Sequence, residues 1–271
     1  MRALAFLCVL AAACGGPRDR PGGGGSGTPD GGGGGNGDGN NGGQVYVYAQ
    51  TESTLFRVDP DTLAITMVGD FGWPASVVSD SMTDIAIDGT GTMIGISYTR
   101  VYRVDTSTAA CTLLSSNLAG RFNGLSFVPA SMLGMTGDDV LVGTRASDGK
   151  VFRIDPMTGA ATQIGDMGAA FMSSGDLVAV AGFGTVQTVL GTSGDTLAKL
   201  APNTFAATPI GSGTGYDMIW GVAFWKNKIY GFTDGGDFVL IDPTTGVATR
   251  VTSTSEAWWG AAVTTLAPVI Q

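Results

Sequence analysis

The segment Leu55-Phe56-Arg57-Val58-Asp59-Pro60-Asp61-Thr62-Leu63-Ala64-Ile65-Thr66-Met67-Val68-Gly69 constrains this chain most, because the chain repeats it. Its apolar run, turn and second apolar run return at Val101 to Thr106, Val151 to Gly159, Leu197 to Pro202 and Phe238 to Gly246. Counted from Val58, the copies are spaced by 46, 50, 46 and 41 residues. In Asp155-Pro156-Met157-Thr158-Gly159 the Asp suits an Asx turn, Pro presets the next φ, and Gly accepts a left-handed one. Each copy therefore reads as a hairpin inside a larger unit that stacks on its neighbours.

Turn residues cut every unit into four short strands. One full unit runs Asp84 to Asp88, Met93 to Tyr98, Val101 to Asp105 and Ala110 to Leu114. Later units open with Leu125 to Val128, Leu177 to Ala181 and Val222 to Trp225. At the end of the chain Gly260 to Leu266 matches a first strand with nothing after it. The missing partners stand at the beginning: Val45 to Tyr48, Leu55 to Val58 and Ile65 to Val68. The expected fold is all-β, a five-bladed β-propeller of four-stranded blades, with residues 44–271 forming the ring. One blade is shared by both ends, which pairs two otherwise open edges.

The turn pattern, followed by Ala-Thr and Ile-Gly as in Ala161 to Gly165, resembles bacterial extracytoplasmic propellers of the NHL-like and PQQ-like kinds. The tryptophan of quinoprotein docking motifs and the Trp-Asp dipeptide of WD repeats are both missing.

Composition excludes several chemistries. The chain has no histidine, which removes Ser-His-Asp and Cys-His nucleophiles and His-ligated zinc. With 14 basic against 23 acidic residues and a net charge of -9, it carries no basic surface for nucleic acid. Carboxylate chemistry, an oxygen-ligated metal, or plain binding remain.

Residues 1–14 resemble a bacterial lipoprotein signal: Met1-Arg2, an apolar run, and Leu10-Ala11-Ala12-Ala13 before Cys14. The resemblance implies that Cys14 carries the lipid anchor, and Gly15 after it points to the outer membrane. An ordinary secretory signal cleaved near Ala13, giving a secreted or periplasmic protein, is the alternative. Both place the chain outside the cytoplasm. In residues 15–43, 16 of 29 residues are Gly. Such a stretch buries too little apolar surface to order itself and reads as a tether with a reach of roughly 30 Å. Cys111, in a strand, reads as a small buried hydrophobe.

A site is expected at the mouth of the central channel, where the loops leading into each first strand meet those between second and third strands. These loops hold Trp73, Phe122, Trp220, Trp258 and Trp259, candidate anchors for a protein or glycan partner or caps of the blade core. At their feet stand Asp84, Asn123 and Asp176. Resemblance to propeller lactonases implies that such a set holds calcium, with Glu256 or Asp217 as base. The expected function is a binding or scaffolding module without cofactor, with a calcium-assisted hydrolase as the second reading.

Overall fold

The computed structural model describes residues 46–192 and 194–270; the expected signal, with Cys14, and the expected tether lie outside them. The strands are, in order, β1 (Val47–Gln50), β2 (Thr54–Val58), β3 (Ile65–Asp70), β4 (Asp84–Ile87), β5 (Met93–Ile96), β6 (Val101–Val104) and β7 (Cys111–Ser115). They continue as β8 (Gly124–Val128), β9 (Val140–Thr144), β10 (Lys150–Ile154), β11 (Ala161–Asp166), β12 (Ser173–Val180) and β13 (Gly184–Gly191). The remainder are β14 (Gly194–Leu200), β15 (Ala207–Ile210), β16 (Ile219–Trp225), β17 (Lys228–Thr233), β18 (Asp237–Ile241), β19 (Ala248–Ser253) and β20 (Gly260–Ala262).

These strands form five four-stranded antiparallel sheets: β4 to β7, β8 to β11, β12 to β15, β16 to β19, and β20-β1-β2-β3. Each innermost strand touches the next, from β4 through β8, β12, β16 and β20 back to β4, so the ring closes. The protein is a five-bladed β-propeller. Its closing blade pairs both ends of the ring, with Tyr48 opposite Ala262, Ala49 opposite Ala261 and Gln50 opposite Gly260.

Burial follows from position in the blade. All of β4, β8 and β20 is buried, whereas the outermost strands β3, β11, β15 and β19 hold only half-buried and exposed residues. The apolar cores lie between blades; Val47, Val222, Phe224, Phe232 and Phe238 belong to one that joins the last two sheets. Cys111 is buried in another, and burial pushes its thiol up to about 12, which keeps it an unreactive thiol.

The outer hairpins share one turn. The N–H of the fifth residue returns to the carbonyl of the first at Leu63, Ala109, Gly159, Phe205 and Gly246, over 2.8 to 2.9 Å. All five of those residues have positive φ, between 60° and 73°. Asp59, Asp105, Asp155 and Asp242 each accept two backbone N–H groups within this turn.

The last strand is shorter than the sequence pattern suggests, ending at Ala262 where Leu266 was expected. Beyond it the chain crosses beneath the ring. Thr264 Oγ1 donates to the Asp88 carbonyl (2.9 Å), Thr265 Oγ1 to Asp139 Oδ2 (2.6 Å), Ala181 N–H to the Thr265 carbonyl (2.9 Å) and Lys226 N–H to the Pro268 carbonyl (2.8 Å). The tail thus ties together four blades at the ends of their inner strands, opposite the mouth.

Candidate functional site

At the mouth, the register of the inner strands aligns five positions that carry either Asp or Gly. The aligned positions are Asp84, Gly124, Asp176, Gly221 and Gly260. Three glycines are required by crowding: a Cβ on Gly221 would lie 2.7 Å from the Gly260 carbonyl carbon, and one on Gly124 2.8 Å from the Gly175 carbonyl oxygen. A Cβ on Gly260 would overlap Asp84 Oδ1. The two aspartates fill the space that the glycines leave.

Asp176 is fully buried and joins three blades. Its Oδ1 accepts the N–H groups of Leu177 (2.6 Å) and Leu125 (3.2 Å), and its Oδ2 accepts that of Val222 (2.9 Å). Asp84, equally buried, accepts the Ile85 N–H through Oδ1 (2.8 Å). Its Oδ2 has no donor. Burial, reinforced by the neighbouring Asp176 charge, holds the Asp84 carboxyl well above its ordinary range. Burial raises the Asp176 carboxyl as well, and the two neighbouring groups titrate as a pair. The three N–H groups favour the ionised form of Asp176, so the proton of the pair is expected on Asp84. A protonated Asp84 also turns its unpartnered oxygen into a donor.

This donor set suits a shared proton better than calcium. Calcium takes six to eight oxygens, yet backbone N–H groups already occupy both oxygens of Asp176 and one of Asp84. Among the described residues no three acidic or cysteine side chains gather into a metal-binding group. Asn123 stands one residue before the ring, in the mouth wall; its Nδ2 donates to the Ser173 carbonyl (3.2 Å), and its Oδ1 is buried without a partner. Neither suggested base, Glu256 nor Asp217, lines this wall.

Above the carboxyl pair opens a pocket of about 260 Å³. Trp220, Trp259, Phe122 and Tyr98 form its apolar walls, and Thr83, Asn123 and Ser174 its polar part. The two indoles stand at 81° with centroids 6.1 Å apart. Phe122 is wedged against Phe152 at 5.6 Å and buried, so it offers a fixed surface. The Trp259 N–H donates to the Gln50 carbonyl (2.8 Å), anchoring that wall to the closing blade. Tyr98 lies beneath the Arg121 guanidinium, 5.0 Å from its ring centroid.

Of the five aromatic candidates, the structure brings Phe122, Trp220 and Trp259 together and leaves two elsewhere. Trp258 is fully buried, edge-on to Phe56 at 5.0 Å and Phe232 at 5.5 Å, in the core beside the closing blade. Trp73 packs against Phe71 and Tyr102 at 5.6 and 5.1 Å within the β4 to β7 region. Sequence reasoning missed Tyr98, Thr83 and Ser174. Tyr98 had a usable signal: it lies in the link between second and third strands, which opens on the mouth.

No known protein family matches the chain, and no curated protein matches it. Solved structures do. One, described as "the de novo evolutionary emergence of a symmetrical protein is shaped by folding constraints", is 18% identical with a TM-score of 0.51, covering 84% of this chain and all of that one. A chain of a nidogen/laminin complex is 8% identical with a TM-score of 0.54, covering 81% of this chain and 98% of its own. At such identities the likeness is one of fold, and this chain is similar to both as a β-propeller.

Proposed function

We propose that this chain is a ligand-binding module, with its ligand seated in the aromatic pocket at the channel mouth, and that it works outside the cytoplasm on a lipid anchor at Cys14. The observation that carries the binding reading is the pocket itself. Four aromatic side chains from separate blades converge on one concavity, and no carboxylate, ammonium or guanidinium lines it. Concave, mostly apolar walls with a few placed polar groups are the usual make-up of a small-molecule site. Of the carboxyl pair beneath it, Asp176 is committed to backbone N–H groups through both oxygens and Asp84 through one, which favours binding over hydrolysis.

A thermal-shift panel on the full chain tests this reading, since a ligand that binds the folded state raises its melting temperature. At least one small-molecule class is expected to raise it, and to lose that effect in Trp259→Ala. Calcium-dependent turnover of ester or lactone substrates would instead favour the hydrolase reading.

The location rests on the lipoprotein-like signal and on the repeat's resemblance to extracytoplasmic propellers. Expressed in a Gram-negative host, the chain is expected to take up labelled acyl groups and to enter the membrane fraction. Cys14→Ser is expected to do neither. Labelling that survives this change would contradict the anchor.

A further inference from the structure

We infer that the mouth pocket takes a single uncharged sugar ring, the terminal residue of a glycan. This deepens the binding reading and rests on it. Size comes first: about 260 Å³ falls just below the ~300 Å³ at which sites for drug-sized ligands begin, so the pocket holds one ring and leaves any further residues at the rim. Shape comes second. Trp220 and Trp259 present two walls at 81°, a corner that receives one face and one edge of a saturated ring. A pyranose offers an apolar face of C–H groups to an indole and a polar edge of hydroxyls.

Polarity then separates this ligand from others that aromatic walls attract. A quaternary ammonium group is favoured by an aromatic cage, but it has no N–H or O–H to give. Asn123 Oδ1 is a buried acceptor without a donor, and leaving such an atom unsatisfied is costly. A sugar hydroxyl or acetamido N–H satisfies it once the Asn123 amide, which lines the pocket, turns that oxygen toward the opening. The Arg121 guanidinium, already over the face of Tyr98, further opposes a cation at the rim. An anionic sugar finds no ammonium or guanidinium in the lining and approaches a chain of net charge -9. A neutral ring meets every one of these conditions.

The test is saturation-transfer NMR and calorimetric titration of the full chain with methyl glycosides of glucose, galactose and N-acetylglucosamine, alongside methyl glucuronide and choline. At least one neutral glycoside is expected to bind, with its C–H face receiving the strongest transfer. Trp259→Ala and Asn123→Ala are each expected to weaken it at least about tenfold. A melting curve run on each variant separates lost binding from lost fold, and Trp259→Phe is expected to retain part of the affinity. Binding of choline or the glucuronide in preference to every neutral glycoside, abolished by Trp259→Ala, would overturn the sugar assignment and keep the pocket as a site. Neutral-glycoside binding that is indifferent to Trp259→Ala in a folded chain would overturn both, as would no binding by any of these probes.

Discussion

The outer hairpins and the inner ring are built from the same five units, yet they use repetition in opposite ways. Outside, all five turns keep one hydrogen bond and one left-handed residue, although that residue is Leu63, Ala109, Gly159, Phe205 or Gly246. The fourth turn keeps its form with Ala201 where the others have Asp. Inside, the aligned positions are two aspartates and three glycines, and the two aspartates differ again: Asp176 binds three N–H groups, and Asp84 leaves one oxygen for a proton. Where the units agree, residues serve the hairpin; where they differ, they build one unrepeated constellation. Trp258 and Trp259 make the same contrast in adjacent positions, one in the core and one in the mouth.

The largest expected effect is Trp258→Ala. Removing a fully buried indole from between Phe56 and Phe232 is expected to cost ~3–5 kcal/mol in chemical denaturation, whereas Trp259→Ala, half-exposed, is expected to change stability by about 1 kcal/mol or less. Next comes Asp176→Asn, which points an amide donor at a backbone N–H. With its charge-assisted bonds lost, about 3 kcal/mol is expected. A cost under about 1 kcal/mol would refute the role of Asp176 in joining three blades.

Asp84→Asn is expected to behave in the opposite sense, because Asn, like a protonated carboxyl, is neutral and carries a donor to offer Asp176. The pH dependence follows from the raised folded-state pKa of Asp84. Above about pH 4 the unfolded Asp84 is ionised while the folded one keeps its proton, so the folded state binds more protons. Its stability contribution is complete below that pH and falls by up to ~1.4 kcal/mol per pH unit as pH rises toward the folded-state pKa. Asp84→Asn is expected to remove this slope, making the variant the more stable chain at neutral pH. An unchanged difference between pH 4.5 and 7.5 would place the proton elsewhere. The smallest effect is at the repeated positions: Asp155→Ala is expected to cost about 1 kcal/mol or less, since the fourth turn, at Ala201, forms without an Asp.

Blade number, strand order and closure were legible in the sequence because repetition states them five times, and because the unpaired ends complement each other. The shared blade was overextended at its last strand. A β-branched run continues through Val263-Thr264-Thr265, but the hydroxyls of Thr264 and Thr265 reach Asp88 and Asp139 in other blades instead. Asp84 and Asp176 were legible only as members of a converging set with Asn123, and their partners were not legible: the groups that bind Asp176 are backbone N–H groups, which every residue but proline has. The separation of Trp258 from Trp259 was hidden for a related reason. Both follow the same loop, and it is Phe56 and Phe232, far away in sequence, that decide which ring is buried.

The most direct measurement is fluorine NMR of the full chain with its five tryptophans replaced by 5-fluorotryptophan, titrated with the glycoside that binds best. The account predicts that the Trp220 and Trp259 resonances move together with the binding curve while those of Trp73, Trp225 and Trp258 stay in place. Movement of Trp73 or Trp225 with Trp220 and Trp259 unchanged would contradict it, putting the ligand on another part of the propeller.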